Sequence, residues 1–233
     1  MRRVLLVGAV LLALALGVAG GYYTGDRLES PEPRASGDAE PLGTPTTPTT
    51  PTPSLPVKTP KPDDTPKLQP GLVYQKHIFT VHPGGQTVQL SIKVPADWQL
   101  TRQNDRPQEV KYLDPLHERG VRVEAVRPVA KTPSEARKQL VIDLQKSQPP
   151  ENDLKILRQD DQQLVSDDGT ARPVSTLFYT YIPGDTRRYV MVRWVATEGE
   201  LADVAMSITG LPQDTEGLLE VLAAATKTVH EIG

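Results

Sequence analysis

At 233 residues with no cysteine, the chain has no disulfide, no lipid-modified cysteine, no thiol catalyst and no cysteine-containing metal site. The charge balance, 26 Lys and Arg against 29 Asp and Glu for a net −3, is slightly acidic and carries no basic stripe with interleaved aromatics, which excludes an ordinary nucleic-acid interface.

Arg2 and Arg3 precede an apolar run from Val4 to Ala19, and Gly20, Gly21, Tyr22 and Tyr23 follow it. A helix needs ~20 apolar residues to cross a bilayer, and in lipid it is the state that satisfies its own backbone. Residues 1–23 are therefore predicted to be a transmembrane signal-anchor. Arg2 and Arg3 stay cytoplasmic, Tyr22 and Tyr23 sit at the far interface, and the rest is extracytoplasmic. Gly17-Val18-Ala19 also fits a small-x-small cleavage site, so Gly17 and Ala19 mark the alternative of a cut signal peptide and a secreted product.

Residues 24–70 are predicted to be a disordered linker, rich in Pro and Thr between Thr44 and Pro53. Proline removes a donor and fixes φ, so such a tract favours extended polyproline II with a solvated backbone. It reads as a spacer, with glycosylated threonines or a docking motif as alternatives.

Periodicity begins at Gly71, and residues 71–233 are predicted to form one α+β domain. Segments His77–Val81 and Val88–Val94 are strands, the second with apolar Val88, Leu90, Ile92 and Val94 alternating with polar residues. Val110–Asp114 and Gly120–Arg127 are two more. Thr132, Pro133 and Glu135 then form the start signal of a helix that ends near Pro149-Pro150. After Leu154–Val165, turns at Asp167-Asp168-Gly169, Pro183-Gly184-Asp185 and Glu198-Gly199-Glu200 delimit a meander through Pro173–Ile182, Tyr189–Thr197 and Leu201–Ile208. A last helix follows Asp214, its stripe running Leu218, Val221, Leu222, Ala225, Val229, Ile232. Two helices covering an antiparallel sheet as layers make an α/β/α sandwich.

That order, with Val94-Pro95-Ala96-Asp97-Trp98 and then Tyr112-Leu113-Asp114-Pro115, resembles the PsbP-like fold and the exported LpqN-type actinobacterial proteins. The resemblance covers residues 71–233 and implies a binding or scaffolding platform. It transfers no functional residues, and the absent cysteine departs from the lipoproteins of that group.

Little in the chain points to catalysis. His77 and His82 are five apart, a poor start for a metal site, and His117 stands alone. His230 is expected near the C-terminus of the last helix, where an imidazolium suits the dipole. Adjacent carboxylates at Asp160-Asp161 point apart on a strand, and Asp167-Asp168 reads as turn chemistry. Nucleophile-elbow, phosphate-loop, dinucleotide and zinc-helix motifs are missing. Catalytic, metal and cofactor residues are therefore none. Arg187 and Arg188, near Arg193 and Trp194, are the candidate partner-binding residues, suited to an acidic partner or a phosphate-bearing polymer. The sequence reads as a non-enzymatic, membrane-tethered module that binds an envelope protein or cell-wall component, its oligomeric state left open. An envelope hydrolase or transferase and a carrier of a small apolar ligand are the alternatives.

Overall fold

Alternation along each strand sorts the apolar residues into two antiparallel sheets that share one core. The computed structural model describes residues 56–232. The predicted anchor with Arg2, Arg3, Tyr22 and Tyr23, the cleavage residues Gly17 and Ala19, and linker residues 24–55 lie outside the described residues. In chain order the elements are β1 (Tyr74–Val81), β2 (Val88–Pro95), β3 (Gln99–Thr101), β4 (Glu109–Leu113), β5 (Gly120–Ala125), α1 (Pro133–Ser147), β6 (Lys155–Val165), β7 (Ala171–Tyr181), β8 (Arg188–Val195), β9 (Val204–Gly210), α2 (Thr215–Thr228) and β10 (His230–Ile232). Among the described residues no helix is long and apolar enough to cross a membrane.

The larger sheet has the order β3-β4-β5-β9-β8-β7-β6 and the smaller β1-β2-β10. The fold is α+β as expected, but a single sheet between two helices is corrected: a three-stranded sheet shares the α2 layer. The cause is the C-terminus. The apolar stripe expected to continue the helix through Val229 and Ile232 breaks at Thr228, and His230–Ile232 pairs with Ser91, Leu90 and Gln89. Extended backbone there lets Val229 stay buried while its neighbours complete the sheet.

Helix α1 starts at the predicted capping box: Thr132 Oγ1 accepts from Glu135 N at 3.3 Å, and Glu135 Oε2 accepts from Thr132 N at 2.9 Å. Its Ala136, Leu140 and Leu144 cover Leu177, Tyr179, Val190, Val192 and Trp194 on one face of the large sheet. On the other face Leu218, Val221, Leu222 and Ala225 of α2 and Leu90, Ile92 and Val94 of β2 meet Val121, Val123, Met191, Met206 and Ile208.

The last part of the predicted linker lies against this body. Residues 56–70 have no regular secondary structure, as proline dictates, yet they are bonded along their length. Lys58 N donates to Glu151 O at 2.9 Å, Lys61 N to Asp185 O at 2.8 Å, and Leu68 N to Asp214 Oδ1 at 2.8 Å. Pro66 O accepts from Arg119 Nη2. Arg119 is 4% exposed and joins this strap to two turns, donating to Asp214 Oδ2 at 2.8 Å and to Asp114 Oδ2 at 3.1 Å. Burial acts against its charge, but the hydrogen bonds and charges of Asp214 and Asp114 outweigh burial and raise its pKa.

Gly217 is where the strap comes nearest to α2, because a Cβ there would lie 2.8 Å from the Leu68 carbonyl. Alanine favours a helix interior over glycine by about 1 kcal/mol, so Gly217→Ala sets helix propensity against strap docking. We expect the strap to lift. Tryptic cleavage after Lys67 should accelerate in the variant while the rest of the domain stays resistant; unchanged cleavage would mean the strap is not held there.

Candidate functional site

A β-bulge between Ile156 and Arg158 resets the register of β6, so that Arg158, Asp160, Gln162 and Leu164 pair with Phe178, Thr176, Val174 and Arg172. These side chains share the face on which α2 lies. Between β6 and α2 the surface opens into a groove of about 520 Å³. That volume is within the range of small-ligand sites, roughly 300–1,000 Å³. Its apolar lining is Leu164, Val165, Phe178, Leu219, Leu222 and Ala223. Val165 and Leu219 are 60% and 38% exposed.

The polar part of the groove is cationic. Arg158 stacks its guanidinium carbon 4.0 Å above the Phe178 ring and pairs with Asp160 at 2.7 Å. Lys227 lines the opposite side. Arg193, at the bottom, is only 8% exposed. Its Nε donates to Thr176 Oγ1 at 2.7 Å and its Nη1 to Thr226 Oγ1 at 2.8 Å, both neutral acceptors. Among the described residues no carboxylate lies within ion-pair distance of it. Desolvation, with Arg158's charge adding to it and Asp160's opposing it, pushes the Arg193 pKa down to about 10. A buried cation held only by hydroxyls is costly to the fold.

A second charged group lies on the α1 side of the large sheet, beyond the part α1 covers. Glu109 faces Glu124 and Lys111 faces Arg122 across β4 and β5. Arg122 Nη1 is 3.5 Å from Glu109 Oε2, and Lys111 Nζ donates to Gln103 Oε1 at 2.9 Å. Burial pushes the Glu124 carboxyl up to about 8; Arg122 opposes this and the like charge of Glu109 adds to it. A carboxyl of that pKa is a proton donor near neutral pH, so this quartet is where an enzymatic reading would have to begin. No group of three or more His, Asp or Glu suited to a metal occurs among the described residues.

The residues singled out in the sequence are placed apart. Arg187 pairs with Asp153 at 2.7 Å, and Arg188 with Glu118 at 2.6 Å. Both lie on the β7–β8 side of the molecule, tied within the chain. Trp194 is in the core under α1. His77 packs its ring 5.0 Å from Tyr112, and His82 is exposed after β1. His117 takes φ 58° in the β4–β5 turn. His230 is the first residue of β10, not part of a helix, and its Nδ1 lies 2.9 Å from Thr228 O. Asp160 and Asp161 point to opposite faces, Asp161 accepting from Ser175 Oγ at 2.6 Å. Asp168 Oδ1 accepts from Thr170 N at 2.9 Å, the expected turn chemistry.

The sequence groups Arg193 with Arg187 and Arg188 and does not single it out as the buried cation. Its signal was present: Val190, Met191, Val192, Trp194 and Val195 make β8 apolar on both faces, and an arginine in such a strand is buried.

Two outcomes test these environments. The Glu124 pKa is raised, so the stability its protonated form supplies is full below about pH 4.5 and is lost as pH rises through about 8. Glu124→Gln should match the parent near pH 4 and exceed it at pH 9 in urea denaturation. Arg193→Met should raise stability by about 1 kcal/mol, since it replaces an uncompensated buried charge by an apolar chain of similar length. A loss of that size would show that the two threonine contacts outweigh desolvation.

No family model matches the chain, and no curated protein does. Among solved structures it is similar to LpqN of Mycobacterium tuberculosis, described as involved in cell envelope biogenesis, at 15% identity and TM-score 0.43 over 69% of this chain and 92% of that one. It is also similar to PA94 of Pseudomonas aeruginosa, a protein of unknown function, at 12% identity and TM-score 0.39 over 65% and 94% of the two chains. The resemblance is weak and lies at the level of the fold.

Proposed function

We propose that the protein is a non-enzymatic binding module, tethered to the membrane by residues 1–23 and presenting its groove outside the cytoplasm to an envelope protein or cell-wall component. The observation that carries the reading is Arg193. A buried guanidinium without a carboxylate partner is retained against stability, and it opens on a groove whose other charged lining includes Arg158 and Lys227. Its partner therefore offers an acidic group beside an apolar one, so that the acid meets Arg193 and the apolar part meets Leu219, Leu222 and Val165. The apolar wall also supports a second reading, carriage of a small apolar ligand that bears an acidic group. The cationic residues Arg187 and Arg188 form a subsidiary surface in this proposal, available where their ion pairs with Asp153 and Glu118 exchange for a stronger acid.

The test places a photo-crosslinking amino acid at Leu219 or, as control, at the exposed Ile142 of α1, in the full chain in intact cells. The expected result is one reproducible envelope species from Leu219, none from Ile142, and about tenfold less product when Arg193→Met is added. Equal capture from both positions, or capture indifferent to Arg193→Met, would sink the reading. Sequencing the N-terminus of the membrane-bound protein decides between the retained anchor and cleavage after Ala19.

A further inference from the structure

The outer face of the small sheet carries a different concentration of donors. Lys76 pairs with Lys93 across β1 and β2, and Ser91 pairs with Ile78 on one side and His230 on the other, so parity places Lys76, Ser91, Lys93 and His230 on one face. With Lys227 at the end of α2 they line a hollow of about 310 Å³. Two acids also line it, and both are engaged. Asp167 pairs with Lys93 at 3.3 Å, and Asp168 is held by Arg172 at 2.7 Å and by Thr170 N. Lys76 and Lys227 are exposed and have no ion pair among the described residues.

Ser91 is the informative member. It is fully buried, yet its Oγ has no hydrogen-bond partner. A buried hydroxyl without a partner costs about 1–3 kcal/mol, and this one lies at the base of a hollow rimmed by ammonium groups. His230 Nδ1 faces the carbonyl of Thr228 at 2.9 Å and so carries the proton there. The arrangement supplies one hydroxyl donor below, two ammonium groups without an ion pair, Lys76 and Lys227, and a third, Lys93, shared with Asp167, with room for a tetrahedral anion.

We propose that this hollow binds a phosphoryl group, Ser91 Oγ donating to one oxygen while Lys76, Lys93 and Lys227 neutralise the charge. The site is separate from the groove of Arg193 and shares only Lys227 with it. The shared chemistry has two sources, free phosphate and a phosphate ester carried on a larger envelope molecule.

Calorimetric titration of the full chain in a non-ionic detergent, at constant ionic strength, uses inorganic phosphate, glycerol 3-phosphate and glycerophosphoglycerol as separate probes. Saturable phosphate binding is expected, weakened about tenfold by Ser91→Val and abolished by Lys76→Met with Lys93→Met. Phosphate binding lost in Arg193→Met but kept in Ser91→Val would place the anion in the groove and overturn the proposal, which separates failure here from failure of the groove. Binding of the diester as tightly as phosphate assigns the source as an esterified polymer or headgroup; binding of phosphate alone assigns free phosphate. Heats of the same size with acetate or chloride, or phosphate binding indifferent to both sets of variants, would overturn the proposal. Thermal midpoints close to the parent's confirm that each variant is folded.

Discussion

The contact between Arg119 and Asp214 is the constraint on which the rest of the domain depends. One guanidinium, buried at the crossing of three chain segments, donates to the turn that launches α2, to the β4–β5 turn and to the strap. Asp214 is fully buried and accepts from Leu211 N at 3.0 Å as well as from Leu68 N. Every donor and acceptor in this knot has a partner, so the cost of burying charge is met locally. The knot fixes where α2 begins, and the position of α2 in turn sets one wall of the groove.

The same chain handles charge differently at its two ends of α2. At the N-terminal end the buried ions are fully matched. Near the C-terminal end Arg193 rests on two threonine hydroxyls and Ser91 on nothing. Local conflicts of this kind, in a fold otherwise consistent across levels, are what mark a surface kept for something other than stability. The C-terminal end is also held from outside the helix: Asp167 N donates to Lys227 O at 2.9 Å and Arg172 Nη1 to Val229 O at 2.6 Å, so the β6–β7 hairpin caps it.

Much of the fold was legible because short-range chemistry and burial agree. Thr132, Pro133 and Glu135 announce α1, and the turns around Gly169 and Gly199 delimit the meander, because each of these signals acts over a few residues. What escaped was set by partners far away in sequence. His230–Ile232 continues an apolar helical stripe and becomes a strand only because β2 offers an edge. Residues 56–70 read first as spacer, since nothing in their own pattern reveals Arg119, Asp214 and Gly217 as their docking points. Of the candidate site, the group of Arg187, Arg188, Arg193 and Trp194 was visible, but which arginine is buried follows from strand parity and from the bulge in β6. Ser91 looked like an ordinary outward residue of an alternating strand.

Helix α2 presents three faces: Glu216, Gly217 and Glu220 meet the strap, Leu218, Val221 and Ala225 fill the core, and Leu219, Leu222 and Ala223 wall the groove. One rigid rod thus answers to both the segment leading back to the N-terminus and whatever occupies the groove. Linkage makes the consequence reciprocal: an occupant that favours α2 in its strapped position strengthens the strap's hold by the same factor by which the strap favours the occupant. Release of the strap and occupancy of the groove are then two readings of a single equilibrium.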